Sequence, residues 1–380
     1  MMPEYRFDEI AILRNEKRTP VPEDKYTYVG LEHLDSGKLE VTRWGSEVDI
    51  KGEKLVMHKG DILFGRRNTY LKRAAIAPHD GLFSAHGMIF RPNTKVISER
   101  LFPFFIASDN FMDAAIRISV GSLSPTVNWK TLRELKFKLP PLEQQNELAE
   151  LMQAANDTKV AYEQLLRQID ELVKSQFIEM FGDPEFQKTG LTPLGDHIDI
   201  VNGFAFKGEL FGTEGIPVIK IGNVNRSEFS AGSMQYYKYD ESLKRFEVRP
   251  GDLLVSLTGT VGKEDFGNVC RASDDFEVYY LNQRNAKLLL HPELVPEYLM
   301  YLLRNEFVKK RLVQSGTGVR QCHLHNKDLN GIMFVLPAIE VQKKFAEFIQ
   351  QSDKSKFELK QAIERVTNLM KSLMQQDFAN

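Results

Sequence analysis

Cysteine is almost missing from this chain of 380 residues: Cys270 and Cys322 are its whole complement. Two widely separated thiols make neither a disulfide framework nor a zinc-ligand pattern. No apolar run approaches the roughly 18 residues that a membrane-spanning helix needs. The opening stretch MMPEYRFDEIAILRNEKR has no apolar core of a secretion signal. A reducing, cytoplasmic setting is expected. A surplus of basic charge is missing too, because 50 Lys and Arg face 52 Asp and Glu. Nucleic-acid binders often carry such a surplus, so for this chain the distribution of charge matters more than the total. Nucleotide and metal signatures are incomplete. SLTGTVGK (256–263) places Leu257 where a phosphate loop needs its first Gly, and Glu264 follows where Ser or Thr would hold Mg²⁺. His323 and His325 flank Leu324 beside Cys322, without the further ligands a metal would need. No metal or cofactor is expected on this chain, and no Ser/His/Asp or Cys/His set suggests a catalytic site.

Gly and Pro are absent from two long stretches, residues 142–181 and 338–380. These stretches repeat each other. LPPLEQQNELAE (139–150) returns as LPAIEVQKKFAE (336–347), and the ungapped alignment of 139–181 with 336–378 holds 13 identities in 43 positions. An offset of 197 is too long for a solenoid repeat; it is a duplicated domain with its connector. Proline ends the segment before each copy and allows a helix to begin. Leu148, Leu151, Ala155, Thr158, Tyr162, Leu165, Ile169 and Leu172 fall at alternating steps of three and four, as do Phe345, Phe348, Ser352, Ser355, Leu359, Ala362, Val366 and Leu369. Those are the a and d positions of a heptad pattern. About 40 residues at about 1.5 Å each give helices of about 60 Å. Two stripes of matched length and phase, separated by a compact domain, predict an antiparallel coiled coil. Two independent amphipathic helices are the alternative.

The remaining segments are Gly-rich and β-like, each with a short helical patch at 98–116 or 295–313. KGDILF (59–64) echoes PGDLLV (250–255). The expected fold is α+β, with two globular domains alternating with two long helices. The expected boundaries are 1–138, 139–182, 183–335 and 336–380.

The order of these motifs resembles the specificity (S) subunit of type I restriction–modification systems. The resemblance rests on LPPLEQQ leading into a helix that ends LVKSQFIEMFGD, and on VNGFAFKGELFGTEGIPVIKIGNVN (201–225) and GDLLVSLTGTVGK (251–263). It rests also on SGTGVRQCHLHNKDLNGIMFVLPAIEVQ (315–342), and in the first half on GDILFGRRNTYLKRAAIA (60–77) and GSLSPTVNWKTLRELKFKLPPLEQQ (121–145). It covers essentially the whole chain. It implies two target-recognition domains, each reading one half-site of a bipartite, asymmetric duplex-DNA target, with the helix pair setting an unread spacer. It also implies partners: two modification subunits that bind S-adenosylmethionine and methylate adenine, and a motor–nuclease subunit using ATP and Mg²⁺. The N-P-P-[YF] or D-P-P-Y stretch of such methyltransferases is not found here, so this chain is expected to be non-catalytic and membrane-free. A departure lies in the second copy, where LPAIEVQ replaces LPPLEQQ and the chain stops soon after the helix. A coiled-coil scaffold that binds protein rather than DNA is the alternative from another class.

Charge distribution supports DNA. Residues 143–181 net −5 and residues 340–378 net +1, leaving +2 on the rest. In the first domain Arg66, Arg67, Lys72 and Arg73 surround Asn68 and Tyr70, with Asp61 the only acid from 60 to 73. In the second, Lys207, Lys220, Asn223, Asn225, Lys263, Arg284 and Arg320 lie in Gly-punctuated loops or at strand edges. Cations hold phosphates, and amides and guanidinium groups read base edges. A solvated loop is the alternative for each. The expected helix seam is Leu148, Leu151, Tyr162, Leu165, Ile169, Leu172, Phe345, Phe348, Leu359, Val366 and Leu369.

Overall fold

The computed structural model describes residues 2–224, 228–232, 234–260, 263, 265–318 and 321–378. Contacts divide the chain into two units, Met1–Leu165 with Leu359–Asn380, and Leu166–Glu358. Both cuts fall inside long helices, Leu142–Phe181 and Ile339–Phe378, of 40 residues each. Each unit therefore holds one globular domain and half of each helix.

In the first unit, a four-stranded antiparallel sheet runs in the order Ala11–Arg14, Met88–Pro92, Ile62–Phe64, Ala74–Ile76. A smaller sheet joins Lys17–Arg18, Lys54–Met57 and Gly81–Phe83. The main sheet buries Phe7, Phe64, Phe90, Phe105 and Phe111 in one aromatic core; the Phe7 ring lies 5.3 Å from Phe90 and 5.0 Å from Phe111. Leu148, Ala149 and Met152 of the first long helix enter this core, and Met374 joins them from the end of the second.

The second unit repeats the plan. One of its two four-stranded sheets runs Ile198–Asn202, Asn285–Leu290, Leu253–Ser256, Val269–Arg271, again antiparallel throughout. Here Val173 and Phe177, near the end of the first long helix, share a core with Phe345 and Ile349, near the start of the second. The Phe177 and Phe345 rings are 5.6 Å apart. In both units the start of one long helix thus meets the end of the other, which is antiparallel pairing. Lys356 Nζ lies 2.5 Å from Asp170 Oδ1 across the pair.

The small devices correspond as well. Glu4–Arg6 pairs with Lys136–Lys138, and Leu191–Pro193 with Met333–Val335. Each Gly-Asp turn needs its glycine, at φ +91° for Gly60 and +87° for Gly251. The aspartate that follows accepts a backbone N–H, from His58 at 2.8 Å and from Arg249 at 2.9 Å. Ser108 and Asn305 cap equivalent short helices. A buried glutamine also recurs: Gln145 and Gln342 sit one turn inside the two long helices, 1% and 0% exposed.

The helix seam departs from expectation in phase. Leu151, Leu165, Leu172 and Leu369 are 57%, 44%, 52% and 54% exposed. The covered residues are Leu148, Met152, Tyr162, Leu166, Ile169 and Val173 on one helix, and Phe345, Ile349, Ser352, Leu359, Ile363, Val366 and Met370 on the other. Phe348 is half-buried against the second core. The steps run four then three, not three then four. Both orders average 3.5 residues, and apolar neighbours at 151/152, 165/166 and 172/173 satisfy either. Tertiary packing decides, because Met152 and Val173 must reach the globular cores.

Candidate nucleic-acid interface

In the first unit the main-sheet strand Ile62–Phe64 runs out through buried Gly65 into Arg66 and Arg67. This segment is pinned against residues 124–127. Val127 N–H donates to Arg66 O at 2.9 Å, Asn68 N–H donates to Pro125 O at 2.7 Å, and Arg67 pairs with Thr126. The Arg67 guanidinium remains exposed and reaches Ser124 Oγ at 3.3 Å. Arg66 Nε and Asn68 Oδ1 are buried without a hydrogen-bond partner. Buried polar groups are normally paired, so water or a ligand completes these two. Asn68 and Lys72 take left-handed backbone, at φ 55° and 46°, and such strain clusters at functional sites. His86 lies beside these cations. Burial, then Arg67, Arg66 and Lys54, holds its pKa below the usual histidine value. Tyr70 is 57% exposed on the same loop, and Arg73 is half-buried.

Lys72 is a correction. Its ammonium lies 2.6 Å from Asp109 Oδ1 and 2.7 Å from Asp113 Oδ1, so its charge is spent on a neighbouring helix rather than held for phosphate.

In the second unit the corresponding segment is Leu257-Thr258. Leu324 N–H donates to Leu257 O at 2.8 Å, and Thr258 pairs with His323, as Val127 and Thr126 do in the first unit. Thr258 Oγ1 and Asn285 Oδ1 are buried without a partner here. Three further loops converge: Phe204 N–H donates to Leu281 O at 2.8 Å, Gly203 N–H to Asn285 O at 3.0 Å, and Asn282 N–H to Ile219 O at 3.1 Å. The approach demands glycine, since a Cβ on Gly203 would stand 2.2 Å from Asn282 O. These contacts gather the segments that carry Lys207, Lys220 and Arg284. Lys207, Lys263 and Arg284 are exposed. Lys220 Nζ lies 4.2 Å from the Phe211 ring centroid and bonds Gln235. Lys263 N–H donates to Thr260 O at 3.0 Å, and Asp265 accepts from Thr260 N–H and Oγ1, each at 2.7 Å.

Asn223 is a second correction. It is 6% exposed, accepts from Lys220 N–H at 2.7 Å and donates to Ser230 O at 2.7 Å. Its amide holds a loop and is not free to read a base. Asn225 and Arg320 lie outside the described residues.

The sequence reading missed His86 and Lys54, which join the arginines only through the fold. It also missed Gln145 and Gln342, whose signal was present: LPPLEQQ and LPAIEVQ differ at three positions and keep their final Gln. Among the described residues no group of three or more His, Cys, Asp or Glu could hold a metal, and no helix is long and apolar enough to cross a membrane. Burial pushes the Cys270 thiol up to about 12, leaving an unreactive group. A cleft of about 820 Å³ in the second unit is lined by Lys174, Glu306, Lys309 and Lys356 among others, and by none of the candidate DNA contacts.

Known proteins agree with this layout. The family model of the type I restriction modification DNA specificity domain matches residues 5–171 and again 191–367. The chain is 22% identical over 375 residues to the type I restriction enzyme MjaVIII specificity subunit of Methanocaldococcus jannaschii, covering 92% of this chain and 85% of that one. A chain from a study of complex assembly and conformational transition in a type I R-M system superposes with a TM-score of 0.58 at 18% identity, covering 99% and 98% of the two chains. The S subunit of a type I restriction–modification system from M. genitalium does so with a TM-score of 0.57 at 12% identity, covering 100% and 96%. The chain belongs to the type I restriction modification DNA specificity family and carries its domain twice. Its work is DNA target recognition within a restriction–modification assembly.

Proposed function

We propose that each globular domain reads one half-site of a bipartite, asymmetric duplex target, and that the long helices set the unread spacer between the half-sites. The observation that carries this reading is the recurrence of one domain-and-helix plan with different side chains at equivalent edges, Arg66-Arg67 in one half and Leu257-Thr258 in the other. A duplicated frame with divergent edges fits two different half-sites. Arg66, Arg67, Asn68, Tyr70 and Arg73 are the proposed contacts of the first half. Lys207, Lys220, Lys263 and Arg284 are those of the second, with Asn225 and Arg320 beside them in sequence. The partners are two modification subunits, which bind S-adenosylmethionine and methylate adenine, and a motor–nuclease subunit using ATP and Mg²⁺. This chain supplies specificity and no catalytic group, in the cytoplasm.

The test is a methylome. The chain is expressed with its modification subunit in a methylation-free host, and modified bases are mapped. A two-part motif with a fixed gap is expected. Replacing residues 1–138 by another such domain should alter one half-site and leave the other intact. Alteration of both halves would sink the two-reader arrangement. A stable complex that leaves DNA unmethylated and binds duplex without salt dependence would favour a protein scaffold, because phosphate contacts make affinity fall steeply with salt.

A further inference from the structure

Gln145 and Gln342 make the same three hydrogen bonds in the two units. Gln145 Oε1 accepts from Ser98 N–H at 2.8 Å, and its Nε2 donates to Val96 O at 3.0 Å and Pro140 O at 2.8 Å. Gln342 Oε1 accepts from Val295 N–H at 2.9 Å, and its Nε2 donates to Glu293 O at 2.9 Å and Pro337 O at 2.9 Å. Every partner is displaced by the same 197 positions as the glutamines themselves. The partners belong to two places: the loop that opens the short helices of the globular domain, and the proline that precedes the long helix. Both side chains are almost wholly buried, so water cannot replace the lost bonds. Only an amide serves, since one end must accept while the other donates twice. The other two positions of the EQQ and EVQ triplets carry no such bonds inward: Glu143 and Glu340 are both exposed, and exposed Gln144 has Val341 as its counterpart.

We propose that Gln145 and Gln342 are positioning residues for specificity, each locking the angle at which a globular domain leaves its own long helix and so fixing the spacer length the protein accepts. The inference rests on the two-half-site reading above. Its physical content is leverage. One base pair adds about 3.4 Å and about 35° of twist, so a domain allowed to rock on its helix would engage half-sites one base pair nearer or farther. Three bonds between one buried amide and two separate backbone segments resist that rocking, whereas apolar contacts at the same place would tolerate sliding.

The full-length chain, co-purified with its modification subunits, is used to select from a duplex library of two randomised blocks joined by spacers of stepped length. For the native chain a one-base-pair change of spacer should reduce binding by about tenfold or more, comparable to one mismatched pair. In Gln145→Met and Gln342→Met, which keep side-chain length and lose all three bonds, that penalty should shrink to about threefold or less while both half-site sequences persist. Gln145→Asn keeps an amide on a shorter arm, weakens the three bonds without adding charge, and should fall between; it carries the test if a methionine variant fails to fold. Gln144→Met should keep the native spacing. A uniform loss of affinity at every spacing, with the native spacing preference retained, marks a merely structural role and overturns the proposal. If the native chain selects a single uninterrupted motif, the two-half-site reading falls with it; strict spacing in the native chain and in the variants alike overturns the clamp alone.

Discussion

In the first half of the molecule the segment beyond the Gly60-Asp61 strand reads Gly65-Arg66-Arg67-Asn68; beyond the Gly251-Asp252 strand it reads Ser256-Leu257-Thr258-Gly259. Both run beside a second strand-like segment and make the same backbone bond to it, at 2.9 Å from Val127 and 2.8 Å from Leu324. The backbone bond is kept while the side chains change from two guanidinium groups to an aliphatic and a hydroxyl. Backbone hydrogen bonds do not depend on side-chain identity, so an edge can be rewritten without disturbing the sheet beneath it. The buried glutamine clamps lack that freedom, and there the halves agree.

The comparison breaks most readily in the cores. Phe345, fully buried among Phe177, Phe181 and Tyr301, corresponds to Leu148 in the first half. Phe345→Ala should cost about 3–5 kcal/mol and Leu148→Ala about 2–5 kcal/mol, because each leaves a cavity in a packed core. Urea unfolding followed separately at each half would show the first loss in the second unit and the other in the first. Equal loss in both units from either change would mean that the halves unfold as one.

A smaller effect sharpens the contrast between the edges. Arg67→Ala should weaken binding of duplex DNA and lower the salt slope by about one if Arg67 holds a phosphate, or relax one base position at about 1–3 kcal/mol if it reads a base. Thr258→Ala, at the equivalent place, removes no charge and should leave the salt slope unchanged. Lys72→Ala should leave it unchanged as well. Its effect belongs to stability, since Asp109 and Asp113 lose their shared cation. A fall in slope with Lys72→Ala would return that lysine to the interface.

How far the sequence could reach follows from the same contrast. The duplication, the two long helices and the alternation were legible because each leaves a periodic or repeated mark. The seam phase was not, since Leu151 and Met152, like Leu165 and Leu166, are equally apolar neighbours. Contact with the first globular core sets Met152 apart from Leu151. Asn223 and Lys72 look like DNA-binding residues by type and by company. What removes them is a partner: Ser230 O and the Lys220 amide for one, Asp109 and Asp113 on a later helix for the other. Arg66 and Arg67 stood out by charge, yet their neighbour His86 is separated from them in sequence and meets them only across the fold.

The slightest expected effect concerns that histidine. Burial chiefly, with Arg67, Arg66 and Lys54 adding to it, holds His86 below the ordinary value of 6.5. Burial chiefly holds His33, in the same unit, below it too. In the unfolded chain both accept protons more readily than in the folded one, so the stability they contribute is present above about pH 6.5 and is lost as pH falls through their folded values. Mild acid should therefore weaken the first unit, and His86→Gln should flatten part of that dependence. Bound phosphate acts in the opposite sense, since an anion beside the three cations offsets their field and favours the imidazolium. Adding duplex DNA should then move the His86 midpoint upward in an imidazole NMR titration, while His33, which faces Glu32 and Arg43, shifts less. A His86 midpoint unmoved by DNA would place the phosphate path away from Arg66 and Arg67, and the first half would then have to read its target with another edge.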